Sequence, residues 1–359
     1  MIDVEDKYKK NILIIGNGFD LAHGLPTGYK DFLKLTDKFP ELENNIWITH
    51  FKKQCNLNGN WVDFEEEILQ VIKRLNPLIT FRKENNDSIE GSNLDKEDTY
   101  IKKFISTNIN RIVNPVTDLK ELIALKDELL EDLNDLIRYF ERYLLSYVEN
   151  LNISRRLADI PEGLMFDGVL SFNYTSIFER FYHPPKEPIV YLHGKAQVRE
   201  TVNMVLGIDE YLDDNSKSQD TECIEFKKYF QRIFKKTGND YKKWLNEMED
   251  ISAELEIYDD ECIHNVFIFG HSLGYSDRAV LKEFFDLCNT MVTVFYHNDD
   301  VFKNLIANLV RIIGQDEVIR RVSAYNPTIK FVKQAEVLPA KKMLPAKKMP
   351  KILELITAP

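Results

Sequence analysis

The sequence is short of the residues that staple small secreted or zinc-bound folds. Its 359 residues include four cysteines (Cys55, Cys223, Cys262 and Cys288). They stand far apart, so neither zinc-ribbon spacing nor a disulfide framework is expected, and no metal ligand set is read. No apolar run approaches the roughly 18–20 residues that a membrane helix needs. The charged start, Met1 to Lys10, lacks the apolar stretch of a secretory signal. Basic charge is also in deficit, with 47 Lys and Arg against 58 Asp and Glu and a formal net charge of −11. Phosphates would be repelled outside any local basic patch, which argues against broad, sequence-independent nucleic-acid binding. What these absences leave is a soluble, cytoplasmic chain. Its 44% apolar and 29% charged residues are the ordinary mixture of a globular enzyme.

What is present is a series of short apolar runs. Asn11-Ile12-Leu13-Ile14-Ile15 ends at Gly16, as expected for a strand buried on both faces. Gly168 to Phe172, Ile189 to Leu192, Val266 to Phe269 and Met291 to Tyr296 are similar, and Thr328 to Val332 is a weaker candidate for an edge. Helical patterns lie between several of them, which predicts an α/β fold with a mostly parallel, Rossmann-like sheet covered by helices. The chain reads as a single domain over about 1–335, with helical insertions at about 40–160 and 215–260. In the first insertion, Phe64 to Leu75 and Thr117 to Leu151 carry helical periodicity, with Thr117 or Asp118 as cap. Asn85 to Asp98 is polar and acidic, the composition of a loop. The longer helix is either packed on the sheet or an oligomerising, partner-binding surface. In the second insertion, about Asp220 to Ile257, Tyr229 and Trp244 are expected on the apolar side. Residues 336–359 read as a tail, because Leu338-Pro339-Ala340-Lys341-Lys342-Met343 is repeated at once as Leu344 to Met349.

Chemistry concentrates where the runs end. Gly16-Asn17-Gly18-Phe19-Asp20 follows the first strand, and its two glycines would allow backbone amides to approach a phosphate or ribose. Leu21 stands where the dehydrogenase fingerprint has its third glycine. On that reading Gly18→Val should cost ligand affinity more than stability. His193 follows the third run and is a candidate general base, since imidazole titrates near neutrality. Asp20 would either contact ribose or cap its turn, whereas His23 and His271 read as structural or rim residues. Trp61 reads as core and Glu65 as a solvated helix residue. A rival pattern overlaps the fourth run: Gly270-His271-Ser272-Leu273-Gly274 satisfies the G-x-S-x-G elbow of serine hydrolases. His297 would supply its histidine, but the acids Asp277 and Asp286 lie in apparent helix.

The opening loop resembles the start of the bacteriophage abortive-infection AbiH family, as does Trp61-Val62-Asp63-Phe64-Glu65. It is also similar to the first nucleotide loop of sirtuin-like domains, with Gly16, Gly18, Gly24, Leu25 and Pro26 in register and Asp20 in place of a serine. Ser171-Phe172-Asn173-Tyr174-Thr175 resembles the strand end whose asparagine holds the nicotinamide ribose, with Thr175 where that pattern has an acid. Tyr191-Leu192-His193-Gly194 resembles the loop of the catalytic histidine. Gly270-His271-Ser272-Leu273, with Asp277 following, resembles the loop on the cofactor's adenosine side. The resemblance implies NAD as ligand or substrate and no metal. Gly16, Asn17, Gly18, Phe19, Asp20, Pro26, Asn173, Tyr174, Gly270, Ser272 and Asp277 would bind it, with His193 and Asn173 catalytic. It implies an antiphage effector that cleaves the nicotinamide–ribose bond. A nucleotide-binding sensor without turnover, using its helical insertions to engage a phage protein, and a serine esterase remain the alternatives; the chain is also a candidate homo-oligomer.

Overall fold

Each of the six apolar runs becomes a strand of one parallel sheet in the computed structural model. The structure describes residues 8–57, 63–88, 92–109, 118–153, 156–160, 163–199, 201–209, 221–255 and 261–335. The strands are β1 (Asn11–Ile15), β2 (Gly168–Ser171), β3 (Val190–Tyr191), β4 (His264–Phe269), β5 (Thr290–Tyr296) and β6 (Ile329–Lys333). Their order is β3-β2-β1-β4-β5-β6, the doubly wound arrangement of a Rossmann-like fold. Progression across the sheet reverses between β1 and β4. In register, Ile15 lies opposite Ser171 on one side and Phe269 on the other. The loops that leave β1, β2 and β4 therefore start level with one another, on the carboxyl edge of the sheet.

The chain divides into two compact units. The first, the sheet unit, lies within Met1–Thr27, Leu144–Gln197 and Lys236–Leu355. Its core is built as the apolar runs dictate. Ile12, Ile14, Leu170, Val266 and Val292 from the strands join Trp244 and Leu245 of the helix Tyr241–Glu254 and Leu281 and Phe284 of Arg278–Phe285. Burying each such side chain stabilises by about 1.5–3 kcal/mol before ordering costs. At the far edge, β6 carries Lys330 and Lys333 exposed, charges that discourage pairing with another strand.

The second, helical unit lies within Gly28–Tyr143 and Val198–Lys235. Its helix Phe64–Glu84 starts where Asp63 accepts hydrogen bonds from the Glu65 and Glu66 amides at 3.0 and 3.2 Å. It runs nine residues beyond the predicted end and through Pro77, because buried Leu78 and Ile79 hold the chain in place where proline removes one helical hydrogen bond. Phe64 stacks between Phe51 and Tyr29, at 3.9 and 4.1 Å between ring centroids. The long helix is Leu119–Ser146, and Asp118 caps it through the Glu121 amide at 2.9 Å. The acidic loop is shorter than predicted, since the helix Asp95–Asn108 opens inside it.

The helix Lys228–Lys235 is inverted. Lys228, Gln231 and Arg232 are buried, whereas Phe234 is 75% exposed. Lys228 Nζ meets Glu65 Oε2 at 2.7 Å, so Glu65 is an ion-pair partner and not a solvated residue. Burial also pulls the Lys235 ammonium down to about 8. Trp244 is buried as expected, but Tyr229 is only half-buried. The two residues belong to different units. Trp61, Thr117 and the tandem repeat lie outside the described residues.

Candidate functional site

The first glycine loop is a junction between strand ends. A short helix, Asn17–Ala22, begins directly after β1 with Gly16 at its cap. The Gly16 amide donates to Phe269 O at 3.0 Å, the Gly18 amide to Gly270 O at 2.7 Å and the Phe19 amide to Gly16 O at 2.8 Å. These three donors are therefore satisfied by the protein's own carbonyls. A Cβ on Gly18 would lie 2.7 Å from Gly270 Cα. Gly270 itself has φ +69, and a Cβ there would lie 2.1 Å from the Phe19 nitrogen. The glycines are required for the close approach of two backbones. This corrects the expectation for Gly18→Val, whose cost falls on the fold as well as on any ligand.

Immediately beneath this junction a polar cluster is closed off from water. Asp20 is 1% exposed. Its carboxyl group accepts from Asn173 Nδ2 at 3.0 Å and from Thr175 Oγ1 at 2.7 Å. Asn173 Nδ2 also donates to Gly16 O at 3.0 Å, which ties the end of β2 to the end of β1. Desolvation raises the Asp20 carboxyl to about 7, with the nearby Glu149 charge adding to the rise and the two donors opposing it. Glu149 is itself held by the Ser176 amide and hydroxyl at 2.6 and 2.7 Å. Alongside, burial pushes the Tyr191 phenol far above its ordinary value, and the carboxylate of Glu179 adds to the shift.

Another cluster joins the loops after β3 and β4. His193 Nε2 lies 3.0 Å from Asp277 Oδ1, and His271 Nε2 lies 3.5 Å from Asp277 Oδ2. Both imidazoles are buried, and the Phe172 ring meets each edge-on at 5.5 and 4.2 Å. Asp277 precedes the helix Arg278–Phe285, and the turn leading to it places Leu273 at φ +55. The predicted residues thus gather at one edge but divide by exposure. Gly16, Phe19, Asp20, Asn173 and His193 are buried; Gly18, Pro26, Tyr174, Gly270 and Asp277 are half-buried; Asn17 and Ser272 are exposed. Phe19 is a core residue, packed against His23, Phe178, Tyr182 and Phe269. His23 is structural: its Nδ1 meets Phe19 O at 2.7 Å and its Nε2 meets the Tyr182 hydroxyl at 2.9 Å.

The hydrolase pattern does not form an elbow. Positive φ falls at Gly270 and Leu273 rather than at Ser272. His297 is exposed beyond β5. The two histidines near the loop are turned onto Asp277. Sequence reasoning missed the parts played by His271 and Glu149. His271 sat inside the G-x-S-x-G match, and Glu149 had the pattern of a solvated end to a long helix. Among the described residues, no group of three His, Cys, Asp or Glu could hold a metal ion, and no helix is long and apolar enough to cross a membrane. A family model described as "Bacteriophage abortive infection AbiH" matches residues 12–297, from β1 to the residue after β5. Comparison with curated proteins found no match.

Proposed function

The chain belongs to the bacteriophage abortive infection AbiH family, and from that premise we propose an abortive-infection protein that binds NAD at the carboxyl edge of its sheet and hydrolyses the nicotinamide–ribose bond. The observation that carries this reading is convergence. Loops separated by up to 261 residues, from Gly16 to Asp277, meet at the reversal point of a doubly wound sheet, where such folds bind dinucleotides. His193 would act as the acid–base group toward water or a ribose hydroxyl. The likeness to sirtuin nucleotide loops adds support through its two departures. Asp20 stands for a serine and Thr175 for an acid, and the two are hydrogen-bonded to each other at 2.7 Å. The acid and the hydroxyl have exchanged places across one bond.

The spent amides of Gly16, Gly18 and Phe19 change how a ligand would be held. Recognition would fall to the accessible Asn17, Tyr174 and Ser272 more than to a backbone cradle. That same observation favours a second reading, a nucleotide sensor without turnover. Incubating the purified chain with NAD and measuring released nicotinamide separates the two. His193→Ala should lower turnover about a hundredfold to ten-thousandfold, while Ser272→Ala should mainly raise KM. Binding by calorimetry with no nicotinamide released would favour the sensor. No binding at all would remove both.

A further inference from the structure

One carboxylate turned toward two imidazoles dictates where each ring carries its proton. The Leu273 amide donates to His271 Nδ1 at 2.9 Å. That nitrogen therefore holds a lone pair, and neutral His271 carries its proton on Nε2, the atom facing Asp277 Oδ2. A carboxylate only accepts, so the 3.0 Å contact between His193 Nε2 and Asp277 Oδ1 requires a proton on His193 Nε2 as well. Both rings are buried in contact with Phe172, which limits their rotation.

We infer that Asp277 and His271 are positioning residues, which together fix neutral His193 as the Nε2–H tautomer and make Nδ1 its basic nitrogen. The inference rests on the reading of His193 as the acid–base group. Asp277 supplies the acceptor, and His271 supplies the orientation. Because the Leu273 amide locks His271 as the Nε2–H form, that N–H faces one of the two carboxylate oxygens at 3.5 Å. The other oxygen is left to His193.

This arrangement makes Asp277→Asn an informative change of nearly constant shape. An amide has one acceptor and one donor end. The locked Nε2–H of His271 takes the acceptor, which turns the NH2 toward His193 Nε2. That nitrogen must then accept, and the His193 proton moves to Nδ1. Adding His271→Phe removes the competing donor. The amide can turn over, and His193 returns to the Nε2–H form.

Long-range proton–nitrogen correlation spectra of the full chain, labelled at its seven histidines, report the tautomer of each ring at alkaline pH, where the rings are neutral. The expected result is Nε2–H for His193 and His271 in the wild type, Nδ1–H for His193 alone in Asp277→Asn, and restored Nε2–H in the double variant. Nicotinamide release should fall at least about a hundredfold in Asp277→Asn and recover in part with the second substitution. Nδ1–H for His193 in the wild type would overturn the inference, even if neither variant folds. So would an unchanged His193 in a folded Asp277→Asn. Expected tautomers with no NAD cleavage would sink the proposed reaction and leave the positioning intact; cleavage with the wrong tautomers would do the reverse.

Discussion

In the sheet unit one set of buried polar side chains gathers at the carboxyl edge, where Asn173 and Thr175 answer Asp20 and Asp277 answers two histidines, and a second set, Asp167, His264, Asn289 and Thr290, sits at the opposite ends of the strands. Between those ends the strands are mainly apolar. In the helical unit charge is buried within the helices themselves. Lys228 is 1% exposed and paired with Glu65, on a helix that turns Ile233 and Phe234 outward. The difference teaches where each unit's specificity resides. A parallel sheet can keep its polar groups to strand ends and loops because neighbouring strands satisfy one another's backbone. A helical unit that buries an ammonium must satisfy it with side chains. Such pairs offset their desolvation cost only partly, so their presence reflects geometry more than stability.

The largest expected effect tests the edge of the sheet unit. Gly270→Val should cost more than about 4 kcal/mol and abolish a cooperative transition, since the new side chain combines a positive φ with a backbone collision. Chemical denaturation measures it, and a loss below about 1 kcal/mol would mean the loops do not touch as described. A smaller effect tests the helical unit. Lys228→Met should cost about 3 kcal/mol by leaving a carboxylate without its partner. The Lys228→Met/Glu65→Leu pair should lose less than the single variant. Additive losses would show that the ion pair is not the unit of that core.

The smallest effect is a slope. Burial raises the Asp20 carboxyl from the ordinary 3.8 to about 7. The native protein therefore binds a proton that the unfolded chain has released, and this contribution is present at low pH and lost as pH rises toward 7. Between pH 5 and 7 the loss should be about 2 kcal/mol. Asp20→Asn should remove that part of the pH dependence, seen as a flatter stability profile from pH 5 to 7. A parallel profile would place the titration elsewhere.

Much of the fold was legible because β1 and β2 are buried on both faces and so appear as short continuous runs, and β4 carries the apolar run Val266 to Phe269. Their spatial order was not, since β1 pairs with two strands distant in the chain. At the candidate site, the glycines signalled that no side chain is tolerated at Gly16 and Gly18. They could not signal whether a ligand or Gly270 fills the space. His193 and Asp277 were each noticed, but 84 residues separate them, so the shared carboxylate was invisible. In Lys228–Lys235 the period marked two faces. It could not say that the cationic one turns inward, because that depends on Glu65, 163 residues away.

The pairing of β1 also sets a schedule for synthesis. Asn11 lies beside Asn265 in the register, 254 residues later. A ribosome adding about 5–20 residues per second needs roughly 10–50 s to cover that interval. For most of it the apolar strand Asn11–Ile15 has left the exit tunnel with at least one flank unpaired. Of the described strands β1 waits longest for its second neighbour, and in the cell a chaperone that shields its early segment would raise the yield of folded chain more than one that acts after release.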